Sequence, residues 1–218
     1  MVKADQNTSA KVTPKIVLIG GPSGGGKTTF AKKLLAACGD RSVLISTDNY
    51  YIPLHHLTLE ERTVYNFDHP DSLDFKLLVR DLELLRAGQV VSIPTYDFAM
   101  HARTETTIRI EPRPVVIVEG ILALVPERLR SLGTLRIFVK SPIETCLARR
   151  TERDIRERGR SPESITAQWN ATVLPMYLKF CAPSEAFADL IVAGDSEPDK
   201  SAGDLNSVVK RLFPYSDP

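Results

Sequence analysis

Gly21-Pro22-Ser23-Gly24-Gly25-Gly26-Lys27-Thr28 has the spacing G-x-x-x-x-G-K-T, and the apolar run Ile16-Val17-Leu18-Ile19 leads directly into it. Residues of those types in that order make a phosphate cradle. Glycines let backbone N–H groups crowd an anion, a lysine reaches the β- and γ-oxygens, and a threonine hydroxyl ligates magnesium. Such a loop needs a strand to fix its entry and a helix whose first N–H groups face the phosphate. Apolar residues at Phe30, Leu34, Leu35 and Cys38 predict that helix over Lys27 to Cys38. A glycine-rich turn with a solvated lysine would account for the glycines but not for strand, loop and helix in this order. The chain is therefore expected to bind a nucleoside triphosphate through Gly21, Ser23, Gly24, Gly25, Gly26, Lys27, Thr28 and Thr29.

Transfer of a phosphoryl group to a hydroxyl asks for three further parts: an acceptor pocket, a carboxylate to receive the proton, and arginines that offset charge in the transition state. Ser42-Val43-Leu44-Ile45-Ser46 reads as a buried strand ending at Thr47-Asp48-Asn49-Tyr50-Tyr51, and Val115-Val116-Ile117-Val118 as a central strand ending at Glu119-Gly120. Open α/β sheets bind their ligands at the carboxyl ends of strands. Asp48 is the expected base and Glu119, in a Walker-B-like position, the expected metal-side carboxylate, with the two free to trade or share roles. Arg149, Arg150, Arg153, Arg156, Arg158 and Arg160 fall close together, interleaved with Glu152, Asp154 and Glu157 at helical spacing. Solvated ion pairs account for Arg156 and Arg158. Arg150, Arg153 and Arg160 run into a glycine-containing turn, which favours a closing lid.

The remaining segments must position these groups. Phe75, Leu78, Leu82 and Leu85 make one stripe of a helix from Leu73 to Ala87, stopped by Gly88. Residues 52 to 72 read as a functional loop with one short helix. Val90 to Ile93 and Thr106 to Ile110 predict a β-ribbon, about residues 90–111, inserted beside the nucleotide core. Leu135 to Val139 is a further strand, followed by the arginine-rich helix from about Pro142. Ser161-Pro162 starts another helix, with Ile165, Trp169, Val173 and Phe180 on one face and a kink at Pro175. Ala188 to Ala193 gives the last strand and Leu205 to Phe213 the last helix. Alternating strands and helices imply a P-loop NTPase three-layer α/β sandwich: a mainly parallel five-stranded sheet with the ribbon and a helical lid, about residues 149–168, added to it. One domain over residues 15–213, behind a flexible tail of residues 1–14, is the expected organisation.

Composition narrows the partners. A net charge of +1 with 25% charged residues gives no global field for a nucleic acid or a membrane surface, so no such partner is expected and anion recognition must be local. Cys38, Cys146 and Cys181 are widely spaced, which argues against a disulfide frame or a zinc site and for a reducing, cytoplasmic setting. Phe138-Val139-Lys140-Ser141 offers no guanine-reading N-K-x-D segment, which disfavours a GTPase switch. Two other classes remain open: a related kinase for a sugar phosphate or glycerate-like acid, and a non-catalytic ATP-binding sensor. A nucleic-acid-processing ATPase is disfavoured by the missing basic stripe.

Six ordered motifs carry a resemblance: Gly21 to Thr28; Asp48-Asn49-Tyr50-Tyr51; Asn66-Phe67-Asp68-His69-Pro70-Asp71; Tyr96-Asp97-Phe98 with His101 and Arg103; Glu119-Gly120-Ile121-Leu122; and Arg149-Arg150 through Arg153-Asp154 to Glu157-Arg158-Gly159-Arg160. Over about residues 15 to 193 the chain resembles the uridine kinase (uridine-cytidine kinase) group of the phosphoribulokinase and uridine kinase superfamily. The resemblance implies transfer of the ATP γ-phosphoryl group to the 5′-hydroxyl of uridine or cytidine, with Mg2+ as cofactor. It implies Asp48 as proton acceptor, with Lys27, Arg153 and Arg160 also catalytic, and Thr28, Asp48 and Glu119 around the metal. Asp68, with Arg150 nearby, would hold the ribose hydroxyls. Tyr96 and His101 would read the base edge, Tyr51, Phe67 and Phe98 would pack around the base, and Gln168 would join from the helix after the lid. A homo-oligomer, by analogy a tetramer, is implied as well. Leu174, Lys140 and Ala193-Gly194-Asp195 depart from the family's pattern.

Overall fold

Strands that are apolar without alternation must be covered on both faces, and the chain supplies the helices to do so. The computed structural model describes residues 13–194 and 198–214. Its elements are β1 (Lys15–Gly20), α1 (Lys27–Cys38), β2 (Ser42–Ser46), α2 (Leu59–Thr63), α3 (Phe75–Arg86), β3 (Val91–Asp97), β4 (Ala102–Ile110), β5 (Val115–Glu119), α4 (Glu127–Leu132), β6 (Leu135–Lys140), α5 (Ile143–Arg158), α6 (Pro162–Gln168), α7 (Leu174–Met176), β7 (Leu190–Ala193) and α8 (Pro198–Leu212). Five strands form one parallel sheet in the order β2-β5-β1-β6-β7. This is the expected α/β architecture, with β3 and β4 as a separate antiparallel ribbon.

The period-two pleat sends alternate residues of β1 into two cores. Ile16 and Leu18 pack with Leu78, Leu82 and Leu85 of α3 and Leu129 of α4, while Val17 and Ile19 pack with Phe30 and Leu34 of α1 and Val208 and Leu212 of α8. The last helix starts at Pro198, earlier than its apolar pattern suggests. The sheet's carboxyl edge thus sits between two rigid cores, and the loops that carry chemistry leave from it.

The ribbon extends beyond the apolar runs, because Tyr96 pairs with Arg103 and Asp97 with Ala102 after an irregularity between Pro94 and Tyr96. Arg103 docks it: Nε donates to Tyr51 O at 2.6 Å and Nη2 to Tyr50 O at 2.9 Å. Pro175 lies in α7 between two π-helical stretches, Trp169–Val173 and Tyr177–Cys181. Its ring removes an N–H donor and crowds the preceding turn, so the disturbance takes this form. Trp169 packs with Cys146 and Val173, a structural role. All three cysteines are buried. Among the described residues no helix is long and apolar enough to cross a membrane. The expected tail falls almost wholly outside the described residues, as does Asp195.

Candidate active site

The loop between β1 and α1 is shaped by glycines that have no room for a side chain. Gly21, Gly24 and Gly26 have φ of 141°, 75° and 92°. A Cβ on Gly21 would stand 2.3 Å from the Val139 carbonyl oxygen, and one on Gly24 2.2 Å from that of Cys146. The glycines therefore seat the loop against the ends of β6 and α5 as well as exposing N–H groups to an anion. From the other side, Ser141 Oγ donates to Gly25 O at 3.1 Å, and Gly194 lies so close that a Cβ there would sit 1.9 Å from the same oxygen. Lys27 is buried and folds back over the loop, its Nζ donating to Pro22 O at 2.8 Å.

At the neighbouring strand ends, oxygen atoms gather. Thr28 Oγ1 donates to Glu119 Oε2 at 3.3 Å and Ser46 Oγ to Glu119 Oε1 at 3.1 Å, while Ser46 Oγ accepts the Asp48 N–H at 3.3 Å. Burial and the adjacent Glu119 push the Asp48 carboxyl up to about 6, against the pull of Lys27, Arg158 and Arg153. Gly120 lets β5 approach the turn bearing Asp48, since a Cβ there would meet Thr47 Oγ1 at 1.8 Å.

Beyond Asp48 the cleft becomes aromatic. Tyr51 contacts Phe67 and Tyr96 with ring centroids 5.1 Å apart in each case, Phe67 stacks on His101 at 5.2 Å, and Tyr96 meets Phe98 edge-on at 5.3 Å. Burial, with a smaller contribution from Asp48, raises the phenol pKa of Tyr51 and Tyr96, and Asp48 lines the same cleft as the phosphate loop and these rings. The Tyr96 hydroxyl is buried and has no hydrogen-bond partner among the described residues. His101 has φ 46°, a conformation that a β-carbon disfavours. Burial and the charges of Arg158, Arg160 and Arg62 lower its pKa, keeping the ring neutral at pH 7. Burial raises the Asp68 pKa, with Arg150 the largest opposing influence.

The arginines close the cleft's remaining side. Arg150 is buried, donating from Nη1 to Ser23 Oγ at 2.7 Å and from Nη2 to Gln168 Oε1 at 2.9 Å. Arg160 Nη1 reaches the same Gln168 oxygen at 2.5 Å. The left-handed cap at Gly159 turns the chain to permit this. Arg156 is exposed and pairs with Glu157 and Glu152, as a solvated face requires. Arg158 is exposed and makes the expected ion pair, 3.5 Å from Asp154, but that partner is buried and the guanidinium also lies 4.8 Å from the Phe98 ring centroid.

One cleft of about 1090 Å³ is lined by Ser23, Gly24, Gly26, Lys27, Thr28, Thr29, Asp48 and Glu119, and also by Tyr51, Phe67, Asp68, Tyr96, Phe98, His101, Arg150, Arg153, Arg160 and Gln168. Gly21 and Gly25 support the loop from beneath rather than lining it. Sequence reasoning passed over Ser46, Arg103, Arg158 and Asp154. Ser46 was open to discovery as the hydroxyl two residues before Asp48 at a strand end. Asp154 had no signal to set it apart from Glu152 and Glu157, the other acids interleaved with the arginines.

A phosphate cradle and an aromatic pocket sharing one cleft at the carboxyl edge of a parallel sheet are the parts of a phosphate-loop kinase that acts on a small acceptor. Residues 16–200 match the model of the Phosphoribulokinase / Uridine kinase family, and the chain belongs to that family. It is 46% identical over 203 residues to the uridine kinase of Erwinia tasmaniensis, covering 91% of this chain and 95% of that one. It is 48% identical over 182 residues to the uridine kinase of Chloroflexus aggregans, covering 83% and 87%. Among solved structures, D-glycerate 3-kinase from Cryptococcus neoformans superposes with a TM-score of 0.61 at 17% identity, over 85% of this chain and 88% of that one, a likeness of fold.

Proposed function

We propose that the protein transfers the γ-phosphoryl group of ATP to the 5′-hydroxyl of uridine or cytidine, giving UMP or CMP. The observation that carries this reading is that Asp48 lines one cleft together with Lys27 and Thr28 of the phosphate loop and Tyr51 and Tyr96 of the aromatic pocket. The close likeness to uridine kinases supports the choice of acceptor.

The phosphate loop and Lys27 bind and orient the triphosphate, and the pocket of Tyr51, Phe67, Tyr96, Phe98 and His101 takes the base. The orphan Tyr96 hydroxyl and the neutral His101 ring supply hydrogen-bonding groups for the edge of a pyrimidine. Asp68, with the Arg150 charge near it, receives the ribose hydroxyls. A 2′-deoxyribose would leave a buried acceptor unpaired and is expected to bind less well. Asp48 accepts the 5′-hydroxyl proton as a carboxylate held at the strand end beside the phosphate loop. Arg153 and Arg160 offset charge on the transferring group.

The hydroxyl of Thr28 and the carboxylates of Asp48 and Glu119 are hard oxygen donors gathered beside the loop, a set that fits magnesium. They would hold Mg2+ with the phosphates. When bound, the ion neutralises charge on the β- and γ-oxygens. The test is phosphate transfer from ATP and Mg2+ to uridine, with the product identified by mass. Release of phosphate without UMP would defeat the reading.

A further inference from the structure

Asp154 has no solvent exposure, yet four arginine head groups converge on it from α5 and the turn that follows. Arg153 hydrogen-bonds Oδ1 from Nε at 2.9 Å and from Nη2 at 2.7 Å, while Arg158 Nη1, 3.5 Å from Oδ1, and Arg150 Nε and Arg160 Nη1, each 3.6 Å from Oδ2, meet the carboxylate as ion pairs without hydrogen bonds. The backbone joins in, since the N–H of Arg160 donates to the Asp154 carbonyl at 3.2 Å. Burying a carboxylate is costly unless its surroundings compensate, and four guanidinium groups around one acid repel each other. A surface ion pair would need neither the burial nor the excess of positive charge.

The arrangement makes sense if the excess positive charge is meant for phosphate oxygens and the acid is there to aim it. A free arginine must give up rotamer freedom before it can act, whereas one already held by a fixed anion loses less, and fixed charges aimed at developing charge need no reorganisation during the reaction. Gln168 adds a second fixed point, where Arg150 and Arg160 share one oxygen.

We infer that Asp154 is a positioning residue for phosphoryl transfer: it holds Arg153 and Arg160 in the poses in which they meet the transferring group, without touching substrate itself. The inference rests on the kinase reading above. It predicts a loss in kcat, because the contacts it aims are made in the transition state, with little change in the binding of either substrate.

The test is a double-mutant cycle. Wild type, Asp154→Asn, the pair Arg153→Ala and Arg160→Ala, and the triple variant are assayed for kcat and both KM values, with thermal unfolding followed for each. Asp154→Asn is expected to lower kcat by about 10- to 100-fold while each KM stays within about threefold, and to change kcat by less than about twofold in the double-arginine background. An equal loss in both backgrounds overturns the inference, as does a loss explained wholly by the unfolded fraction. If the amide does not fold, the cycle is run with Asp154→Glu, which keeps the charge but moves it by one methylene. Its kcat loss must likewise vanish without the two arginines, and persistence of that loss overturns the inference. A wild type that makes no UMP or CMP but turns over another acceptor retires only the acceptor assignment, and the cycle is then decided on that acceptor. A wild type inert toward every acceptor overturns the kinase reading, and this inference with it.

Discussion

Replacing Asp48 by Asn should stabilise the ligand-free fold while removing most of the activity. The folded protein holds the Asp48 proton more tightly than the unfolded chain does, its pKa moving from the ordinary 3.8 to about 6 through burial and the charge of Glu119. For a raised carboxyl pKa the sign is set: folding is not penalised below the unfolded value, and stability is lost as pH climbs from about 3.8 to about 6. Above that window the penalty is constant, on the order of 2 to 3 kcal/mol for a shift of this size. Near pH 5 it is about half as large. Asn keeps the shape and has no charge to bury, so in EDTA its Tm should exceed that of wild type by several degrees at pH 8, at about 2–4 °C per kcal/mol for a chain of this size. The difference should shrink steadily toward pH 4. In the same preparation kcat should fall by about 100-fold or more, with ATP affinity nearly unchanged, as loss of a positioned base requires. Thermal unfolding across pH in EDTA, beside steady-state kinetics, tests both halves. A Tm difference that does not vary with pH refutes the electrostatic argument, and full turnover by the variant removes Asp48 from the role of base.

Three further outcomes follow from the geometry. His101→Ala should raise the nucleoside KM by about tenfold with ATP binding little changed, since the lost ring stacks on Phe67; equal losses for both substrates would move His101 out of the acceptor pocket. The lowered His101 pKa also means that the nucleoside KM should be level between pH 7 and 8, which a pH series checks directly. Gly194→Ala would place a carbon 1.9 Å from the Gly25 carbonyl oxygen, so the loop must shift and the KM for ATP should rise by about tenfold or more, whereas a wild-type value would mean that the two loops do not press on each other.

The parts most legible in the sequence were those with strong local rules. The helix over Lys27–Cys38 is bounded by glycines, and β5 is an apolar run from Val115 to Val118 that ends in Glu119. The carboxylates fell at strand ends because the sheet's topology puts loops there, so Asp48 and Glu119 were found without knowing any contact. The ribbon's tip was not legible, since Pro94 and the exposed residues of β4 lack alternation and the ribbon is docked through long-range bonds from its own Arg103 to the Tyr50 and Tyr51 carbonyls. The arginine cluster was half legible. Spacing gives which residues share a helix face, but not whether that face meets water, and the burial of Asp154, on the helix that packs against α6, decides this. The ion pair of exposed Arg158 was legible, but its contact with Phe98 was not, because Phe98 lies on a segment sixty residues away in the chain.

The central claim is most directly tested by offering the protein ATP and Mg2+ with uridine, cytidine, adenosine, deoxyuridine, a sugar phosphate and glycerate, and identifying the products by mass. Selective formation of UMP and CMP, with deoxyuridine converted much more slowly, is the predicted result. Turnover of a sugar phosphate or glycerate in place of the pyrimidine ribonucleosides would contradict it, leaving the phosphate loop but removing Asp68, Tyr96 and His101 from the roles proposed for them.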